Sequence, residues 1–165
     1  MAFYFRPLGW GEALAVGRWR YPAPYEIYDL SGRSLLINVA LHHVLAPLGR
    51  MGFYGVHTEA DRLLGVFSFR RQQRMLELGL GLRPDLTGQR LGLAFVQAGM
   101  AFGLAHYRAE YFRLDVALFN LRAIQVYQRA GFRPGRHFTR YTRQGLHEFM
   151  EMTRPAIDPT AGQSR

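Results

Sequence analysis

The sequence contains no cysteine and no lysine, and all 21 of its basic residues are arginine. The absence of cysteine excludes disulfides, thiolate metal sites and cysteine nucleophiles. No apolar run approaches the roughly 20 residues that a membrane-spanning helix needs. The opening "MAFYFRPLGW" lacks the basic, apolar and small-residue order of a secretory signal. The expectation is a cytoplasmic protein that does not cross a membrane. Metal-binding patterns are missing as well. His42 and His43 are adjacent, so they point apart on a helix, and neither an HExxH pattern nor a third ligand accompanies them.

What is present suits a globular chain. At 165 residues the length fits one domain, which we place over residues 1–154. The tail, 155–165, is polar and rich in Pro and Gly, the composition of a disordered end. The formal charge of +9 raises nucleic acid, an acidic protein or a phosphorylated ligand as partners. However, the arginines are dispersed, and their longest run is Arg70-Arg71. Neither a basic helix nor an RNP-like aromatic pattern supports nucleic acid, and a general compositional bias toward arginine accounts for the charge equally well.

Hydrophobic periodicity predicts the order β, α, α, β, β, β, α, β, α, β, β. "FYFRPL" alternates as a first strand, and "GEALAVGRW" reads as a helix. Pro22 and Pro24 then bar a regular helix from "RYPAPYEIYDLSG", where tyrosines and acids cluster. "SLLINVALHHVLAPL" is a second helix ended by Pro47 and Gly49. "GFYGVHTE", "RLLGVFSFR" and "RMLELGLGL" form a meander that turns at Ala60-Asp61. Residues 91–106 form a helix whose apolar face is Leu91, Phe95, Ala98, Phe102 and Ala105. "YFRLDVALF" reads as a strand buried on both sides, and "NLRAIQVYQRAGF" as a helix capped by Asn120 and stopped at Gly131. A hairpin around Gln144-Gly145 closes the chain, with Trp10 and Trp19 expected in the core or a pocket wall. The result is an α/β chain with a mostly antiparallel sheet and one parallel crossover through 91–106.

The stretch "LRPDLTGQRLGLAF" is the chemically informative one. It is a strand, a loop and a helix N-terminus, where free backbone N–H groups and the helix dipole favour an anion. Gly88 and Gly92 let a ligand approach the backbone closely. Gly79 and Gly81, inside the preceding strand, mark either the approach of a backbone-like ligand or packing of a neighbouring side chain. Strand glycines that lead into an anion-binding mouth suit a ligand with an amide-bearing arm and a pyrophosphate, as coenzyme A has.

On these residues the chain, from about 3 to 153, resembles the GNAT acetyltransferase superfamily. "RPDLTGQRLGLAF" is similar to the superfamily's pyrophosphate loop, and "LDVALFNLRAIQVYQRAGF" to its second signature of strand, Asn, Ala, Tyr and Gly-Phe. "RYPAPYEIYD" and "LHEFMEM" resemble bacterial ribosomal-protein alanine acetyltransferases. The resemblance implies a sheet of six to seven mostly antiparallel strands flanked by about four helices. It also implies acetyl transfer from acetyl-CoA directly to a primary amine, either of a small molecule or of a protein N-terminus. GNAT proteins often dimerise, so a homodimer is within the expectation.

Two positions depart from the loop motif. Thr87 stands where Gln or Arg is usual, and Arg90 where glycine is usual. A helical φ at position 90 tolerates any L-residue, so the expectation is a guanidinium that binds phosphate. Thr87, Gly88, Gln89, Arg90, Leu91 and Gly92 would cradle the phosphates, while Leu80, Gly81 and Leu82 would meet the pantetheine arm, with Asn120 as a further ligand or simply an N-cap. Tyr127 would supply the proton to the departing thiolate. Glu77, on the same strand face as Gly79 and Gly81, is the candidate base, or else the partner of an arginine. Tyr25, Glu26, Tyr28 and Asp29 would line the acceptor side. The alternatives are a GNAT-like protein that binds acyl-CoA without turning it over and an arginine-rich nucleic-acid module.

Overall fold

A computed structural model describes residues 2–156. The expected element order holds throughout. β1 (Tyr4–Pro7), α1 (Trp10–Val16), α2 (Gly32–Leu45), β2 (Met51–His57), β3 (Leu63–Gln72) and β4 (Met75–Leu82) come first. α3 (Gly92–His106), β5 (Tyr111–Ala117), α4 (Leu121–Arg129), β6 (Arg133–Thr142) and β7 (Gly145–Pro155) follow. The seven strands form one sheet in the order β1-β2-β3-β4-β5-β7-β6. Every neighbouring pair is antiparallel except β4 and β5, which the α3 crossover makes parallel. The chain is therefore a mixed α/β fold with a mostly antiparallel sheet and four α-helices. None of its described helices is long and apolar enough to cross a membrane. β7 runs to Pro155, and Ala156 is buried with its N–H donating to the Glu110 carbonyl, so the ordered chain extends past the expected boundary at 154. The rest of the expected tail lies outside the described residues.

Local chemistry explains the element ends. Ser31 caps α2 by accepting from the Ser34 N–H at 3.1 Å, and Gly49 (φ +62°) turns the chain out after it. Asp61 (φ +60°) makes the β2–β3 turn at the expected place. Gly131 (φ +90°) stops α4, with the Phe132 N–H returning to the Tyr127 carbonyl at 2.9 Å.

Helices cover one sheet face fully and the other only over its first strands. α1 and α2 cover one side of β2 and β3, where Ala13, Val16, Leu35 and Val39 meet Phe53 and Val66. α3 and α4 cover the other side, over Phe67, Phe69, Leu76, Leu78, Phe112 and Leu114. Burying each such Phe or Leu contributes roughly 1.5–3 kcal/mol. The α3 face differs from the periodicity-based expectation: Phe95, Val96, Gly99, Met100 and Gly103 are buried, whereas Phe102 is half-buried and Ala105 exposed. A Cβ at Gly99 would lie within 3.0 Å of the Phe67 ring, and one at Gly103 would press on Leu76 and Phe69. Both glycines thus serve helix–sheet packing. Trp10 is 52% exposed and not in the core, while Trp19 packs against the α1–α2 cluster.

β5 is not buried on both sides. Phe112, Leu114 and Val116 face the α3–α4 core, but Arg113 and Asp115 alternate with them onto the other face. There Arg113 pairs with Glu151 at 3.1 Å, and Asp115 pairs with Arg140 at 2.5 Å. Glu77 of β4 and Arg70 of β3 pair at 2.6 Å. Each acid in this row has an arginine, which lets a sheet face without a helical cover hold charge at little cost.

On the α1 side, the Glu12 carboxylate accepts from the Gly9 N–H at 3.0 Å and meets the buried His57 Nε2 at 2.5 Å. Glu12→Ala would remove a helix cap and leave a buried imidazole without that partner. We expect a loss of about 2 kcal/mol in urea unfolding. An unchanged midpoint would mean that the pair contributes nothing. The adjacent histidines also diverge: buried His42 accepts from the Phe53 N–H at 2.9 Å, while His43 faces solvent. Among the described residues no cluster of His, Cys, Asp and Glu suits a metal ion.

Candidate active site

The parallel pair β4–β5 holds register for only three residue pairs, Met75–Glu77 against Tyr111–Arg113. Beyond Glu77 the two strands separate, although β4 continues to Leu82 and β5 to Ala117. The backbone edges that would have bonded each other thus face a gap. The Arg83 N–H bonds the Leu64 carbonyl, so by alternation Gly81 faces β3 while Leu80 and Leu82 turn their backbone groups toward β5. Two tyrosine hydroxyls reach these edges. Tyr21 donates to the Leu82 carbonyl at 2.7 Å, and the Ala117 N–H donates to Tyr28 Oη at 3.1 Å. Asn120 Nδ2 donates to the same Tyr28 oxygen at 3.2 Å.

At the end of the gap lies the loop from Thr87 to Gly92. Two of its side chains bond the preceding turn: the Thr87 hydroxyl donates to the Pro84 carbonyl at 2.8 Å, and Gln89 Nε2 to the Asp85 carbonyl at 2.7 Å. Arg83 grips Asp85 through two nitrogens, at 2.7 and 3.0 Å, and holds that carboxyl below the usual range. No side chain caps α3, and among the described residues the backbone N–H groups from 88 to 94 donate to no acceptor. A row of free N–H groups at a helix N-terminus fits phosphate oxygens. Gly88 has φ +80° and only Arg122 near it, so it needs glycine for its conformation. Gly92 instead packs on Val126 of α4.

Arg90 contradicts the helical φ expected for it. Its φ is +61°, in the left-handed region, and helix α3 begins only at Gly92. The motif's usual glycine is explained by that conformation, which costs an L-residue roughly 1 kcal/mol. The Arg90 side chain is exposed. A second guanidinium, missed in the sequence, lies at the loop: Arg122 Nη1 is 3.8 Å from where a Gly88 Cβ would stand. Its carbon sits 5.0 Å from the Tyr25 ring centroid, a cation–π contact.

Asn120 caps α4, with its Oδ1 accepting from the Ala123 N–H at 3.1 Å. Ala123, Val126 and Tyr127 of this helix pack against the α3–α4 core. Burial raises the Tyr127 phenol far above its ordinary value, and the neighbouring Tyr28 and Tyr21 raise it further. Tyr21 and Tyr28, from the proline-rich segment, sit on the facing edges of β4 and β5. Burial, then Asp29, pushes Tyr21 up to about 12. Tyr21 had no sequence signal beyond its place in an aromatic segment.

The two glycines of β4 are close to protein atoms. Gly79 faces the Ser68 hydroxyl, and a Gly81 Cβ would stand 3.3 Å from Tyr21 Oη. Glu77 shares their face, in the last residue pair before the strands separate. Of the acceptor-side residues, Tyr28 and Asp29 hold the segment in place, the latter through the Tyr21 N–H at 2.9 Å. Tyr25 packs on Phe119, and the Glu26 carbonyl accepts from Gln144 of the final hairpin at 3.2 Å.

The architecture has extensive structural kin. A chimera of the Vibrio cholerae spermidine N-acetyltransferase SpeG and hSSAT superimposes with a TM-score of 0.78 at 14% identity, over 94% of this chain and 96% of the other. The ribosomal L7/L12 alpha-N-protein acetyltransferase RimL, in complex with coenzyme A, gives 0.74 at 17% identity over 94% of each chain. The Vibrio cholerae spermidine N-acetyltransferase in complex with CoA and spermine gives 0.73 at 15% identity, over 93% and 95%. At such identities the likeness shows a shared fold. No curated protein shows significant sequence similarity to the chain. The family model of the GNAT acetyltransferase domain matches residues 10–133. That match spans α1 through the start of β6, including both the separated strands and the glycine loop, and on it the chain belongs to the GNAT acetyltransferase family.

Proposed function

We propose that this protein transfers an acetyl group from acetyl-CoA to a primary amine of a small molecule or a protein N-terminus. The observation that carries the reading is the opening between β4 and β5, which ends at a helix mouth with unengaged N–H groups. The bound cosubstrate supplies the thioester. The loop 87–92, with Arg122 beside it, would hold the phosphates, and the in-facing backbone of Leu80 and Leu82 would hold the amide-bearing arm. The Leu80 N–H is suited to steady developing negative charge on the carbonyl oxygen. Tyr127 would donate a hydrogen bond to the departing sulfur. Tyr25 and Glu26 would meet the acceptor as it approaches from the proline-rich segment. Structural relatives that bind CoA, and in one case spermine, are consistent with this reading.

Glu77 is the proposed base, acting through water, and it is held in an ion pair with Arg70 at 2.6 Å. Glu77→Gln is accordingly expected to lower kcat/KM about tenfold or more, with the loss largest at low pH, where the amine must give up its proton. Acetyl-CoA-dependent thiol release across a panel of polyamines, amino acids and short peptides tests both claims. Turnover of no amine would favour an acyl-CoA-binding protein without catalysis. An unchanged kcat/KM in Glu77→Gln would leave the residue only its pairing with Arg70.

A further inference from the structure

A cavity of about 660 Å³ opens at the C-terminal end of α3. The helix has 15 residues, so roughly 20 Å separate this cavity from the glycine loop at the other end. Three arginines line it from separate stretches of chain: Arg71 from β3, Arg74 from the β3–β4 turn and Arg108 from the segment after α3. The single lining acid, Glu110, pairs with Arg74 at 3.1 Å. Among the described residues the Arg71 and Arg108 side chains have neither an ion pair nor a hydrogen bond. Many other arginines are engaged: Arg6 with Asp61, Arg70 with Glu77, Arg83 with Asp85, and Arg113 and Arg140 with Asp115.

The negative end of α3 would oppose an anion here, but part of it is already covered. The Tyr107 N–H donates to the Gly103 carbonyl at 2.8 Å, and His106 Nδ1 donates to the Phe102 carbonyl at 2.9 Å. That bond fixes the ring. Leu104, Ala105 and Ala109 add apolar wall.

We infer that this cavity binds a ligand carrying two or more phosphates, of the size of a nucleoside polyphosphate. Guanidinium forks match phosphate geometry, and two of the three here have no competing carboxylate among the described residues. The volume lies within the few hundred to about 1,000 Å³ usual for small-molecule sites. The inference stands apart from acetyl transfer, since no residue of the active site takes part.

Calorimetry with inorganic pyrophosphate and with ATP, each without CoA and in a Gly88→Val background that obstructs the glycine loop, tests it. The expected result is one equivalent per chain, weakened by salt and at least about tenfold weaker in R71A/R108A. R71K/R108K keeps the charge without the fork and should fall between the two. ATP binding tighter than pyrophosphate would assign the apolar wall to the base, and equal binding would assign the affinity to phosphate alone; either supports the site. Absence of binding by both probes, or binding unchanged in a normally folded R71A/R108A protein, would overturn it. If the chain failed to bind CoA, dependence on Arg71 and Arg108 would still separate this site from the glycine loop.

Discussion

Tyr127→Phe is expected to lower kcat about a hundredfold while changing acetyl-CoA affinity less than about threefold. The substitution keeps the ring that packs beside Phe132 and removes only the hydroxyl. The environment of that hydroxyl defines what it can do. Burial first, then Tyr28 and Tyr21, hold the phenol well above its ordinary value, so it is protonated at any pH the protein meets. A thiolate whose conjugate acid has a pKa of about 8.5 is too weak a base to take that proton outright. In the proposed reaction the phenol would therefore stabilise the departing sulfur as a hydrogen-bond donor, with solvent completing the protonation. The sign of the shift also fixes the pH behaviour. A raised folded-state value favours the neutral phenol, so its contribution is complete below about pH 10 and is lost only as the pH rises toward the folded value. Steady-state thiol release from pH 6 to 9 should show no limb belonging to Tyr127. Full turnover by Tyr127→Phe would remove the residue from the mechanism.

Gly99→Val is expected to destabilise the fold by about 3 kcal/mol or more, a large part of the total for a domain of this size. A Cβ at Gly99 would already lie within 3.0 Å of Cζ, Cε1 and Cε2 of Phe67. Phe67 cannot withdraw, because it is fully buried and in contact with Phe5, Phe69 and Phe95. Gly11 is the contrasting position in a helix, with nothing within 4 Å of its would-be Cβ. Gly11→Ala should stabilise by about 0.5 kcal/mol. Urea midpoints of the two variants should move in opposite directions. An unchanged midpoint in Gly99→Val would mean that α3 does not sit on Phe67 as described.

That glycine also shows where the sequence stops being informative. Element order, hairpins and the Asn120 cap follow from periodicity and turn chemistry, which are local. The buried face of α3 does not, because the helix is apolar nearly all round and its contact residues include Gly99 and Gly103, which carry no hydrophobic signal. Arg113 and Asp115 make β5 one-sided, and that alternation was legible in "FRLDVA". The glycine loop was legible as a strand–loop–helix junction, but the left-handed φ of Arg90 was not, since nothing local distinguishes it from a helical start. Tyr21 and Arg122 reach the opening through contacts across the fold, 61 residues apart in the case of Tyr21 and Leu82. Such pairings have no period to read.

The central claim is that the separated strands and the mouth of α3 hold acetyl-CoA. Calorimetric titration with acetyl-CoA and with desulfo-CoA, each in the R71A/R108A background, is the test. Saturable binding of acetyl-CoA and desulfo-CoA is expected, weakened at least about tenfold by Gly88→Val, whose Cβ is strained at φ +80° and obstructs approach to the loop N–H groups. Binding absent at millimolar acetyl-CoA, or unaffected by Gly88→Val, would contradict it.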